Sequence, residues 1–363
     1  MAHNQPWNEE RLRVLQQITE TPSPSGFETT IQSLIAERIR KYVDNVKIDI
    51  MGNLIAARKP AGHPRVALLA HCDEIGLMIS HISQEGFLYF LPIGILDEHI
   101  TLGRRVTIHS RGGPVLGVVG SRQVGVLSPE EKAKVVSFKR QWIDIGVDSR
   151  DEAEKLVSVG DPVTFNSPFE RFRDGNLIVA KEFDDKLGIF VIMETLRKVS
   201  EREEHDAAVF FVSTVQEEIG LRGSVTAAYQ IEPHAAFVVD IGWTSDVPDT
   251  MLEKQDLGDT RLGAGPIIDK GANNSPVLVQ MLQDAARESG IPVQLRAAPT
   301  PIATDAKVVQ LSRGGVATVN VNIPARYTHT PNAVASLKDV EHTSELLARV
   351  VLGLKRTSDF IPR

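Results

Sequence analysis

Residues 66–76 read VALLAHCDEIG, and this stretch decides the fold. Val66 to Ala70 is a continuous apolar run without alternation, the pattern of a strand covered on both faces. It ends on a histidine and an acid, His71 and Asp73. Charged groups at the end of an apolar strand are costly unless paired or ligated. Strand ends are also where open α/β sheets place their ligands.

Similar runs recur further on: LIVA (177–180), AVFFVSTV (208–215), AFVVDIG (236–242), VQLRAA (293–298) and TVNVNIPA (318–325). Helical periodicity falls between them, over 187–199, 277–288 and 340–354, which makes an α/β domain. Upstream, 9–21 and 27–42 read as amphipathic helices parted by TPSPSG, and 46–50 and 54–58 as strands joined at Gly52-Asn53. Between 74 and 163 the texture differs. Short runs such as FLYFL, RRVTIH, VLGVVG and DPVTF, broken by glycines, predict a small barrel or sandwich, with one helical stretch at 149–157. The chain is therefore expected to leave the α/β domain (1–73 and 165–363), build a β-rich insert (74–164), and return.

With 363 residues, length alone suggests about two domains. The net charge of −7 argues against a nucleic-acid partner. Cys72 is the only cysteine, so no intramolecular disulfide can form. The N-terminus lacks the apolar core of a signal peptide, and no stretch is long enough to span a bilayer. A cytoplasmic protein away from membranes is the expectation.

Five places put metal-ligand residue types at predicted strand ends: His71 with Asp73, Asp184 with Asp185, Glu217 with Glu218, Asp240, and His329. In HCD, alternation sends His71 and Asp73 to one face and Cys72 to the other, where it reads as a small buried hydrophobe. That pairing suits an imidazole ligand whose second nitrogen is held by a carboxylate. An isolated Asp-Asp would read more readily as a helix cap than as a ligand pair. Two glutamates directly after AVFFVSTV are harder to explain as surface residues, and they offer one ligand and one free base. Two histidines, two aspartates and one glutamate suit a pair of divalent cations such as Zn²⁺, Co²⁺ or Mn²⁺.

With these motifs in order, the chain resembles the glutamyl aminopeptidase family, which includes the tetrahedral aminopeptidases. The likeness runs through PSPSGFE, GNLIA, AHCDEIG, GPVLGVVG, GDPVTF, FDDKLG, QEEIGLRG, VVDIG, LGAGPII, TDA and ARYTHTP. It implies a mixed-sheet α/β/α metallopeptidase catalytic domain carrying an inserted β-barrel-like domain. It also implies an aminopeptidase that removes N-terminal residues from short peptides with a metal-activated water. By position, Asp184 would bridge two metal ions, zinc foremost, with cobalt or manganese as alternatives. His71 and Asp240 would complete one site, and Glu218 and His329 the other. Glu217 would be the general base, and Asp73 would orient His71. The resemblance further implies a cis Asp184–Asp185 peptide and a homo-oligomer, a dodecamer built from dimers through the 74–164 insert. PIGI (92–95) and IATDA (302–306) each lack a glycine expected there, which puts side-chain preference in question. Two rival readings remain: an amidohydrolase or deacylase on the same metals, and an inactive binding homologue.

Overall fold

The computed structural model describes residues 7–181, 183–202, 204–252, 254–255 and 258–363. Its main sheet runs, edge to edge, through Asn45–Ile48, Leu54–Arg58, Ala208–Thr214, Arg65–His71, Ala235–Trp243, Ala317–Arg326, Ala333–Ser336, Leu177–Ala180 and Glu170–Arg171. Ile267–Gly271 and Gln294–Ala298 branch from Ala317–Arg326. The four strands from Ala208–Thr214 to Ala317–Arg326 are parallel, and the flanking ones antiparallel, so the sheet is mixed.

The unbroken apolar run of 66–70 follows from this position. Val66, Leu68 and Ala70 pack with helices Glu9–Glu20, Phe183–Ser200 and Leu337–Gly353, through Ile18, Phe190 and Leu346. Ala67 and Leu69 face the opposite layer, with Ala227 and Ile231 of helix Arg222–Ile231 and Val309. Cys72 lies in the first of these cores as a fully buried thiol. A strand buried on both faces cannot alternate, because neither side meets water.

Six strands, Gly76–Ile82, Leu88–Ile93, Trp142–Asp144, Gly113–Gly120, Arg105–Ser110 and Pro162–Phe165, close into a barrel in that order. Leu77, Leu88, Phe90, Val106, Ile108, Ile143 and Val163 fill it. Sequence left barrel and sandwich open. Pairing of Leu77 with Val163 closes the ring and decides for the barrel.

Several elements differ from expectation. Helix Arg222–Ile231 and strands Ile267–Gly271 and Ala333–Ser336 were absent from the sequence reading. Each is short or built largely of small residues, so it carries little periodic signal. The helix expected at 187 begins at Phe183, interrupted by non-helical backbone at Asp184 and Asp185, whose peptide bond is cis as the resemblance implies.

At the seam between barrel and sheet, the fully buried Glu74 takes Lys181 Nζ at 2.9 Å and Lys186 Nζ at 3.1 Å. The Ser23 N–H donates to its other oxygen at 2.7 Å. A buried carboxylate so supplied escapes most of the penalty of leaving water.

Candidate active site

The candidate site residues gather at the C-terminal ends of the parallel strands. His71 is the last residue of its strand, in register with Thr214, after which the neighbouring strand gives way to Glu217 and Glu218. Asp240 lies three residues before the end of the next strand, and His329 three residues beyond Arg326. Asp184 enters from the head of helix Phe183–Ser200. Parallel neighbours deliver their C-terminal ends to one edge, so residues distant in sequence meet there.

Asp184 stands at the middle. Its Oδ1 is 3.2 Å from His71 Nε2 and its Oδ2 is 3.3 Å from His329 Nε2. His329 Nε2 lies 3.8 Å from Glu218 Oε1, and His71 Nε2 lies 3.9 Å from Glu217 Oε2. Two sets of donor atoms, from His71, Asp184 and Glu218 and from His71, Glu217 and Asp240, each fall within 4.8 Å of one another. The geometry thus groups Glu217 with His71 and Asp240 as closely as a ligand would be.

Around His71, the Nδ1 atom faces the Asp73 main-chain carbonyl at 3.1 Å and the Asp73 carboxylate at 3.5 Å. The carboxylate accepts hydrogen bonds from Ser25 Oγ and from the N–H groups of Glu217 and Glu218. Asp73 therefore bears on the glutamates as directly as on the histidine.

The charges are unbalanced. Burial, aided by Asp240 and Asp305, pushes Glu217 up to about 9 against the pull of His71. Burial and Asp184 push Asp240 to about 7. Glu218 is raised by burial and by Asp184. Burial alone would raise Asp184 and lower His71. Hydrogen bonds from the two histidines hold Asp184 well below its usual range, and Glu217 and Asp184 hold His71 well above its own. Glu218 Oε1 and Asp185 Oδ2 are buried without a hydrogen-bond partner. Carboxylates crowded into low dielectric resist ionising together unless cations join them. Imidazole and carboxylate donors with unsatisfied buried oxygens fit borderline-hard divalent cations.

Sequence reasoning did not assign two neighbours of the site. Gly94, at the end of barrel strand Leu88–Ile93, sits at φ +75°, and a Cβ there would lie 3.4 Å from Glu218 Cβ. The barrel thus supplies part of the wall. Asp305, buried beside Thr214, accepts from Thr214 Oγ1 at 2.6 Å while its Oδ1 has no partner. PIGI and TDA were the sequence signals for these two positions.

A family model described as M42 glutamyl aminopeptidase matches residues 52–346. The lysyl aminopeptidase of Pyrococcus furiosus is 34% identical over 96% of this chain and 99% of its own. A TET aminopeptidase from a marine sediment archaeon of the Thaumarchaeota superposes with a TM-score of 0.91 at 32% identity, covering 95% of this chain and 96% of its own. The Pyrococcus horikoshii TET1 peptidase, which can assemble into a tetrahedron or a large octahedral shell, matches with a TM-score of 0.84 at 30% identity, over 95% of this chain and 100% of its own. No helix among the described residues is long and apolar enough to cross a membrane.

Proposed function

Because the chain belongs to the M42 glutamyl aminopeptidase family, we propose that it removes N-terminal residues from short peptides at a dinuclear divalent-metal centre on its sheet edge. The observation that carries this reading is Asp184, whose two oxygens face different histidines, His71 and His329, as a bridging carboxylate would. His71 and Asp240 would hold one ion, Glu218 and His329 the other, with zinc as the expected metal. When bound, such a pair supplies Lewis-acid polarisation of the scissile carbonyl and an acidified water. The chain's own contribution is proton transfer. Glu217, buried and held at the metal edge, would take a proton from the attacking water and pass it to the leaving amine. Asp73 would fix both the His71 ring and the backbone that carries Glu217.

Residues 1–73 and 165–363 would form the catalytic part. The 74–164 segment would serve assembly and substrate access. It exposes Leu91 and Leu116 on barrel strands and Val124 and Val126 on the turn of helix that follows, large apolar side chains that contact with another copy would cover. The expected state is a homo-oligomer built on dimers, with a dodecamer as the closed form. Light scattering at micromolar concentration tests this directly, and a particle of a single chain's mass, 39.9 kDa, would refute it.

Activity is tested with a panel of aminoacyl amides set beside N-acyl amides. Hydrolysis of the aminoacyl set that needs a free N-terminal amine is the expected result. Cleavage confined to the N-acyl set would establish a deacylase instead, and no cleavage in metal-loaded protein would leave a binding homologue.

A further inference from the structure

Four consecutive main-chain N–H groups, from Val215 to Glu218, are each held by a side-chain oxygen from a distant part of the chain. Val215 donates to Asn53 Oδ1 at 3.1 Å and Gln216 to Glu28 Oε1 at 3.2 Å. Glu217 and Glu218 donate to the two oxygens of Asp73 at 3.0 and 3.1 Å. The carbonyls are held as well: Gly223, Arg222 and Leu221 donate to the carbonyl oxygens of Val215, Gln216 and Glu217 at 3.0, 3.2 and 2.9 Å. Gln216 sits in the left-handed region, at φ +56°. A non-glycine residue holds that conformation only where its surroundings over-determine it.

Two of the three holders have no other task in the proposed chemistry. Glu28 is 6% exposed, and its Oε1 also accepts the Gly26 N–H at 2.8 Å. Burial raises Glu28, and the N–H groups of Gly26 and Gln216 oppose that rise. Burying a carboxylate to hold main-chain N–H groups costs free energy that ordinary turn-making does not require. Asn53 is fully buried, and its Nδ2 is fixed by Asp49, the Gly223 carbonyl and Thr226. At Gly223 a Cβ would approach Asn53 Oδ1 to 2.3 Å, so the contact requires glycine there.

We infer that Glu28 is a positioning residue: with Asn53 it clamps the Val215–Glu218 backbone, and so sets the reach of Glu217 toward the substrate. The inference rests on the reading of Glu217 as general base. General-base transfer needs hydrogen-bond distance, and a displacement of about 1 Å can cost on the order of 10² in rate. Asp73 holds the far half of the segment, and without Glu28 the Gln216 end would be free to shift.

The test uses the metal-loaded, full-length enzyme with Glu28→Ala and Glu28→Gln. Four quantities are read: kcat, KM, metal content, and amide hydrogen exchange in peptides spanning 213–221. Glu28→Ala should lower kcat by about tenfold or more, leave KM within about twofold and metal content unchanged, and speed exchange in that segment. Glu28→Gln keeps an Oε1 acceptor and should restore both turnover and protection to near wild type. A merely structural role would lower thermal stability while leaving kcat per folded, metal-loaded site intact. Wild-type kcat or wild-type exchange in Glu28→Ala overturns the proposal. So does a Glu28→Gln enzyme as impaired as Glu28→Ala, since charge and not the acceptor would then matter. If Glu28→Ala does not fold, Glu28→Asp, whose acceptor is withdrawn by one methylene, carries the same comparison. There, unchanged kcat and exchange overturn the proposal, and a loss of both supports it. Failure of the aminopeptidase reading would look different. Wild-type protein would not turn over aminoacyl amides, while the exchange difference between variant and wild type would persist.

Discussion

Glu217→Gln is expected to cut turnover by a factor of about 10² or more while the protein keeps its metal, because positioned proton transfer contributes about that much. Gln preserves the size of the side chain and leaves the N–H hydrogen bond to Asp73 untouched, since that bond is made by the main chain. The substitution removes only the capacity to take and release a proton. It also decides between two roles that the geometry brings close together, because Glu217 shares a donor cluster with His71 and Asp240. A base that is lost leaves metal in place; a ligand that is lost takes metal with it. Metal analysis of the purified variant beside its kcat reads both at once, and near wild-type turnover would remove Glu217 from the mechanism.

The second large effect is expected at the proposed ligands. His71→Ala and Asp240→Ala should lose metal and activity together, and Asp184→Ala should lose both most completely, because it faces both histidines. The crowded acids give this prediction a second readout. Burial and mutual repulsion hold Glu217 and Asp240 protonated to higher pH than usual. Cations relieve that repulsion, and anything that binds the folded state alone raises the melting temperature. Wild-type protein should therefore melt lower after chelation and recover on adding Zn²⁺, and Asp184→Ala should respond to neither. A melting temperature indifferent to chelator and metal in the wild type would contradict a metal site of this kind.

Much of this site could be read in the sequence because several of the candidate ligands stand at or just beyond the end of a largely apolar run. VALLA ends at His71, AVFFVSTV runs into Glu217 and Glu218, and AFVV ends at Asp240. Such runs mean strands covered on both faces, and a polar residue at the end of one needs a partner. The structure brings these four side chains to one edge, together with Asp73, Asp184 and His329. What sequence could not supply was the partner of each group. That Asp73 meets the N–H groups of Glu217 and Glu218 depends on Gln216 turning left-handed, and no periodicity records that. Glu28 stands in an ordinary turn-and-helix start, PSPSGFE, where an acid reads as a capping residue. Helix Arg222–Ile231 was lost because its RGSVTAAYQI sequence is mostly small and polar, with Ala227, Ala228 and Ile231 as its buried apolar residues. The proximity of Gly94 to Glu218 arises only once the barrel has closed, so no local pattern records it.

The Glu74 cluster also bears on how the protein comes to be folded at all. Lys181 stands 107 residues beyond Glu74, and the chain between them is the barrel. Glu74 finds its counter-charges only after that whole excursion has been completed and the strand at Leu177–Ala180 has docked. Contacts this distant in sequence form late and slowly. A nascent chain that has not yet passed residue 181 thus carries an acid destined for the interior with neither of its lysines to neutralise it. Because Asp184 lies between the two lysines in sequence, a barrel that stalls in folding would also delay the residue on which both histidines converge.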